Sequence, residues 1–535
     1  MTVTEGSSIR SAGRNLALAT LASRVAGFVR IIVLAAALGL GTRLLDTYNV
    51  ANTLPNQVYE LVVGGTMASI VVPLLTRATI NEADGGVLYT QRLLSLIVYV
   101  LSVMTVVAIV AAPLLIDLYA PGFTAEQRDL AIVFSRYFFP QILFYGISAT
   151  AAAVLQIRGL FGAPAWAPLV NSVIVIAVGL TYAAVGGSTS TTLGDGHLLL
   201  LSLGTTAGVF AQMTLVVWSL RRSGFPIRLH LDPRGIGIRQ IGKLGLWVLL
   251  AVVTQQILVA AATRAASWSG FGGITAFQYA NAIFQVPFAV VAVSIMTAML
   301  PRLSQYAARD EHNRVVTGLS RAVRTALVVM APIAAAFMLL GPQIAIVLFD
   351  HGNSDPATVR VLGLVLAAYG LTLVPFTSYM ILQRGLYALQ DTRTAAVITA
   401  VVAAVGVLGC AIAGWLLPAG DIVIGIPVAY AAAYLTGLNL TAIVLRRRLG
   451  YIDGKRLIRT HARVFAAVVV AVACAGLAFW GLRPVVDASA WTGALITGLV
   501  AALAGGLGYL AAGRLLRLAE LRHLLNAALP GIRTW

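Results

Sequence analysis

The chain has 535 residues, of which 59% are hydrophobic and only 10% charged, and its mean hydropathy is +0.89. These values exclude a soluble globular protein and place the chain among polytopic membrane proteins, with no soluble domain of useful size left over. The formal charge of +18 would point to nucleic acid in a soluble protein. Here the cations fall in short gaps between apolar runs, where cytoplasmic retention accounts for them and no nucleic-acid partner is expected.

A spanning helix needs about 20 apolar residues, so the chain has room for roughly a dozen to fourteen. Residues 1–15 form a polar cytoplasmic tail. The helix that follows is interrupted by Arg24 and Arg30 and lacks the compact apolar core and small-residue cleavage site of a signal peptide, so the first span is expected to stay in the mature protein. Spans are predicted near 16–40, 48–75, 93–118, 130–155, 165–185 and 198–220, each bounded by charge, Gly or Pro, and together they make an N-lobe over 16–220. The basic stretch 221–243 is the longest polar connection and reads as a cytoplasmic inter-lobe linker. A second group near 244–266, 276–300, 322–340, 359–389, 395–417 and 422–445 makes a C-lobe over 244–445. Two further spans near 464–482 and 492–512 lie within 446–512, and the chain closes on a cytoplasmic amphipathic tail, 513–535. Cys410 and Cys474 lie inside apolar segments and read as packing residues, not as a disulfide or metal pair.

Arg and Lys alternate between successive loops. One side has Arg10, Arg14, Arg77, Arg92, Arg158 and the later basic clusters; the other has Arg43, an Arg128 set among Asp117, Glu126 and Asp129, and no basic residue over 187–197. The asymmetry fits the positive-inside rule with both termini cytoplasmic.

An internal repeat links the two groups. Ala51-Asn52 precedes Gln57-Val58, with Pro73 sixteen residues after the Gln; Ala280-Asn281 precedes Gln285-Val286, with Pro301 sixteen after that Gln, an offset of 228 between the glutamines. A weaker echo pairs Pro140 and Gln156 with Pro375 and Gln390. Each pair joins span n to span n+6, so the lobes share one membrane orientation and are expected to be related by a pseudo-two-fold along the membrane normal. The predicted fold class is therefore an all-α polytopic membrane protein of about 14 transmembrane helices, two six-helix lobes plus two C-terminal helices. Two like bundles facing each other would enclose a cavity that opens alternately to either side.

Arg24 and Arg30 sit roughly 12 and 21 Å along the first helix and about 120° apart around it. An arginine at that depth costs at least about 2.5 to 3.5 kcal/mol on insertion scales, so it should face a polar interior. One reading is an anion site, because guanidinium forks match phosphate oxygens; the other is an internal ion pair with Asp46 or Glu60. Asn49, Asn52, Asn56 and Gln57, around Pro55, and their repeat partners Asn281 and Gln285, either contact substrate sugars or join helices by hydrogen bonds. Gly64-Gly65 reads as packing or hinge, Arg264 as an interfacial anchor, and Arg384 with Asp391 as a gate pair or as ordinary boundary charges. His197, His230, His351, His461 and His523 lie in loops or at span ends, and the sequence has neither H-E-x-x-H nor a P-loop. A transporter without cofactor is expected, driven by a coupling ion or the membrane potential.

The motifs S-R-x-x-G-x-x-R at Ser23–Arg30, Asp46, L-P-N at Leu54–Asn56, V-P-L at Val72–Leu74, A-P-G-F at Ala120–Phe123, P-A-x-A-P-x-x-N at Pro164–Asn171, L-P-x-L-S at Leu300–Ser304 and Y-A-L-Q-D-T-R-T at Tyr387–Thr394 follow one another in order. Together they resemble the MurJ (MviN) family of lipid II flippases, within the multidrug/oligosaccharidyl-lipid/polysaccharide exporters. The resemblance implies two lobes around a cationic cavity, a lipid-facing groove on the last two helices, and roles for Arg24, Arg30 and Asp46. The chain departs from the family at Tyr59-Glu60, where an arginine is frequent, and at Asn281, Ala282 and Gln285, where charges are frequent, which implies a less cationic cavity. The expected activity is movement of a polyprenyl-pyrophosphate-linked precursor, lipid II, from the inner to the outer leaflet of the bacterial cytoplasmic membrane by alternating access. Partners would be that lipid-linked cell-wall precursor, the lipid bilayer and cell-wall synthesis proteins. Export of another lipid-linked glycan or small molecule, or a non-transporting scaffold for cell-wall synthesis, are the alternatives.

Overall fold

In hydrocarbon every backbone N–H and C=O must find its partner within the chain, so apolar runs of this length can only be helices. A computed structural model describes residues 3–61, 72–82, 84, 86–228, 230 and 238–528, and among these no strand occurs. Among the described residues thirteen segments are long and apolar enough to cross a membrane. They coincide with thirteen of the fourteen predicted spans; the remaining one, 48–75, runs through residues 62–71, outside the described residues, as do Gly64-Gly65 and most of the linker's 229–237. By contacts the chain divides into two units, 1–256 and 257–535.

The first unit contains α1 (Val3–Leu38), α2 (Arg43–Tyr59), α3 (Val72–Asn81), α4 (Val87–Val110), α5 (Ala112–Tyr119), α6 (Ala125–Phe138), α7 (Gln141–Ile157), α8 (Gly162–Ala184) and α9 (Asp195–Arg222), and then most of α10 (Ile238–Ser267), inside which the division falls. Local chemistry sets the boundaries. The Thr42 hydroxyl accepts from the Leu45 N–H at 3.2 Å and starts α2. Thr124 and Gln127 form a reciprocal capping box at the head of α6. Pro140, which lacks an N–H, separates α6 from α7. The core centres on Tyr48, fully buried, whose ring meets Phe134 and Phe138 edge-on at 6.0 and 5.6 Å and whose hydroxyl is 2.7 Å from that of Thr205.

The second unit holds α11 (Gly273–Pro287), a π-helical segment Phe288–Ala292, α12 (Val293–Ala308), α13 (His312–Phe349), α14 (Pro356–Ala388), α15 (Thr392–Leu416), α16 (Ala419–Leu449), α17 (Gly454–Leu482), α18 (Trp491–Leu515) and the short α19 (Ala519–Ala528). Its tightest packing is between α13 and α14. A Cβ added at Gly341 would lie 2.4 Å from the Gly363 carbonyl oxygen, and one at Gly363 2.5 Å from the Pro342 Cα, so only glycine lets these backbones touch. On α14, Tyr369 stacks on Phe277 and Phe284 of α11, and Phe376 packs on Phe284 and on Tyr434 of α16.

The two units share a distortion at the repeat position. After α2 the backbone takes a π turn at Glu60 and Leu61, three residues beyond Gln57; after α11 the π segment begins at Phe288, three residues beyond Gln285. π turns are rare and concentrate at functional sites.

Candidate functional site

α1 lies along α8, tied by the Ser23 hydroxyl donating to the Ala165 carbonyl at 3.0 Å. That contact fixes the rotation of the arginine-bearing helix. Arg24 is exposed, and Arg30 is half-buried within electrostatic reach of the Tyr48 and Tyr145 hydroxyls. Among the described residues neither guanidinium forms an ion pair, and Asp46 and Glu60 are not their partners. Asp46 is buried in the first turn of α2, where a negative charge suits the helix N-terminus.

Along α2, Asn49 is buried, Asn52 half-buried and Asn56 exposed, with Gln57, Tyr59 and Glu60 half-buried. Pro55 removes one backbone donor mid-helix, and the Glu60 N–H reaches both the Asn56 and Gln57 carbonyls as the helix widens into the π turn. Tyr59 packs on Tyr145 with ring centroids 5.9 Å apart. Those two rings, Ser148, Gln212 and Pro164 line a cavity of about 230 Å³ between α2, α7, α8 and α9. Tyr145 lines this cavity and lies within electrostatic reach of Arg30, which is not itself among the lining residues. An unpaired guanidinium beside hydroxyls and aromatic faces in a low-dielectric wall can hold an oxyanion and stack a sugar ring. Tyr145, Ser148 and Gln212 were not singled out from sequence; the available signal was a polar side chain inside an otherwise apolar span.

In the second unit Asn281 is half-buried and Gln285 exposed on α11. The structure does not bring Arg384 and Asp391 together. Arg384 lies over the Tyr387 ring at 5.6 Å, whereas Asp391 caps α15 through Thr394 and pairs with Arg448 at 2.9 Å. Arg264 sits over Trp268 at 5.5 Å, as an interfacial side chain would. A separate apolar groove of about 320 Å³ runs between α13, α17 and α18, lined by Leu339, Ala471, Ala475, Gly505 and Tyr509 among others.

An all-helical chain of this span number, with intramembrane cations in its first helix, belongs to the class of polytopic membrane transporters. A solved MATE-family multidrug transporter of the MOP superfamily, in an inward-facing conformation, has a similar fold (TM-score 0.68, 14% identity, 80% of this chain and 94% of that one). A solved structure of a lipid II flippase MurJ in an inward closed conformation superposes with a TM-score of 0.76 at 19% identity over 95% of this chain and 99% of that one. In sequence, a protein of Rhizobium meliloti (strain 1021) described as probable lipid II flippase MurJ is 29% identical over 491 residues, 90% of each chain. Residues 34–500 match the family "MurJ: Lipid II flippase MurJ". The chain belongs to the MurJ family of lipid II flippases.

Proposed function

We propose that this protein moves lipid II from the inner to the outer leaflet of the cytoplasmic membrane by alternating access, as a transporter and not an enzyme. The observation that carries the reading is Arg30, a half-buried guanidinium in a membrane span, unpaired by any carboxylate among the described residues and within electrostatic reach of the Tyr48 and Tyr145 hydroxyls. Arg30, with Arg24 about one and two-thirds turns earlier, holds the pyrophosphate; a guanidinium–oxyanion bond contributes about 1.5–3 kcal/mol. The amides Asn52 and Asn56 of α2, and Asn281 and Gln285 of α11, contact the sugars or position the helices. The polyprenyl tail stays in lipid along the apolar groove of α13, α17 and α18, whose lining supports that role. The loop charges support an orientation with both termini cytoplasmic. Net movement draws on the membrane potential or an ion gradient, and cell-wall synthesis proteins receive the product.

The test is depletion of the protein followed by labelling of outward-facing lipid II with a membrane-impermeant reagent. Wild type restores the labelled pool, Arg30→Ala lowers the rate by about 10–100-fold, and Arg30→Lys, which keeps charge but loses the fork, falls between. Full restoration by a correctly inserted Arg30→Ala protein refutes the anion site. Undiminished labelling after depletion refutes lipid II as the substrate and moves the search to other lipid-linked glycans.

A further inference from the structure

The ends of α17, α18 and α19 meet where the apolar spans of the second unit stop, and their charges do not balance. Over 446–463 and 514–522 the sequence has ten Arg and Lys but two carboxylates, Asp453 and Glu520. Both carboxylates are already engaged. Glu520 takes Arg324 of α13 at 2.6 Å, and Asp453 accepts from the Ser320 hydroxyl at 3.2 Å and lies 3.8 Å from Arg456. Arg448 is taken by Asp391. That leaves eight, Arg446, Arg447, Lys455, Arg459, Arg463, Arg514, Arg517 and Arg522, all exposed and without a carboxylate partner among the described residues; the last five lie where α17 meets the end of α18 and the start of α19.

These cations are held together. Arg459 and Arg463 are four residues apart on one face of α17, and the Arg463 guanidinium donates to the Arg517 carbonyl at 3.5 Å. Arg517 itself has φ +52, a left-handed conformation that usually falls to glycine, and its N–H bonds the Arg514 carbonyl at 3.1 Å as α18 ends. The turn is fixed from below, because Leu518 just before α19 and Leu521 of α19 pack with Leu327, Val328, Val464 and Tyr509. Repelling cations fixed at a rigid turn define an anion site.

The surroundings choose the anion. On the same helix ends Ile458, Phe465 and Leu515 are 73%, 71% and 82% exposed, large apolar side chains at the level of the guanidinia. Apolar surface beside cations on long stems is the signature of the membrane–water interface. We infer that Arg459, Arg463, Arg514 and Arg517 form a binding site for the phosphodiester headgroup of an anionic lipid, in the cytoplasmic leaflet on the orientation proposed above. The site is separate from Arg24 and Arg30, lies wholly within the second unit, and stands whether or not lipid II is the cargo.

The test uses the full-length protein purified in detergent, with phosphatidylglycerol, phosphatidylethanolamine and inorganic phosphate as probes, read by native mass spectrometry and by melting temperature. Phosphatidylglycerol is expected to bind more tightly than phosphatidylethanolamine, with each arginine removed weakening it about fivefold. Arg517→Gly is the decisive variant, because it relieves the left-handed strain and so should melt no lower than wild type without lipid, yet lose phosphatidylglycerol affinity; Arg463→Gln should act in the same direction. Unchanged phosphatidylglycerol binding in Arg463→Gln/Arg517→Gly, or equal binding of the two lipids, overturns the site. Equal stabilisation by inorganic phosphate overturns the lipid assignment. Because binding is read in detergent, failure here leaves the flippase reading untouched, and failure of that reading leaves this site testable.

Discussion

Asp391, at the head of α15, is held by Arg448 of α16 at 2.9 Å and by the Thr394 N–H and hydroxyl at 3.1 and 2.8 Å. One carboxylate thereby fixes the turn between α14 and α15 and fastens it to α16. Arg384, seven residues before Asp391, takes no part. Asp391→Ala should therefore cost about 1–2 kcal/mol through the lost cap, and Arg448→Ala under about 1, since Arg448 is 62% exposed. Double-mutant thermal melts should find Arg384→Ala and Asp391→Asn additive; a coupling above about 0.5 kcal/mol would mean that the two residues interact.

The ion pair between Arg324 and Glu520 differs because both side chains are mostly buried, 18% and 11% exposed. Removing one partner strands the other charge. Glu520→Leu is expected to lower stability by about 2–4 kcal/mol, the partial exposure keeping it below the fully buried case, and Arg324→Met/Glu520→Leu to recover most of that loss. A double variant no more stable than Glu520→Leu would contradict this account.

Much of the architecture was legible from residues alone. Apolar length predicted the spans, whereas the capping side chains of Thr124, Asp355 and Asp391, which set where helices start, emerged only from the structure. Arg24, Arg30 and the α2 amides stood out because polarity inside an apolar run is costly. Pairings were not legible. Whether Asp391 meets Arg384 or Arg448 depends on how α14, α15 and α16 pack, and that Glu520 reaches back to α13 depends on α19 folding under the helices before it. Tyr59, Tyr145 and Gln212 gave weak signals, since tyrosine is common in membrane helices and only convergence on one cavity distinguishes it.

Close backbone packing at the α13–α14 seam leaves no room for a methyl group. Gly363→Ala places a Cβ 2.5 Å from the Pro342 backbone, which cannot yield as a flexible side chain would. A loss of at least about 2 kcal/mol is expected, seen as a lower melting temperature or poor recovery from the membrane. Gly420→Ala, where an added Cβ meets nothing within 4 Å, is the matched control and should be near neutral.

Acid should loosen the head of α14. Burial opposes ionisation of Asp355, but the Thr358 hydroxyl and the Thr358 and Ala357 N–H groups outweigh it and hold the carboxyl below its usual value. A depressed folded pKa stabilises the protein above the unfolded value near about 4, and this contribution is lost as pH falls through the folded one. Asp355→Ala should cost about 1 kcal/mol at neutral pH, the solvent-exposed cap setting it near the low end, and its penalty should shrink below about pH 4. A penalty that stays constant down to pH 3 would assign the cap to something other than the carboxylate.

The π turns at Glu60–Leu61 and Phe288–Ala292 fix an angular phase. Each α-helical residue turns the chain by about 100°, so deleting one residue from the second π segment would swing α12 through that angle relative to α11. Half of one span would then present its former interior to lipid while the other half kept its place. The same phase setting stands three residues after a glutamine in both halves of the chain, beside the Ala-Asn, Gln-Val and proline positions that the repeat shares. What the two halves have in common is thus not only a few side chains but a clocking of one helix end against the other.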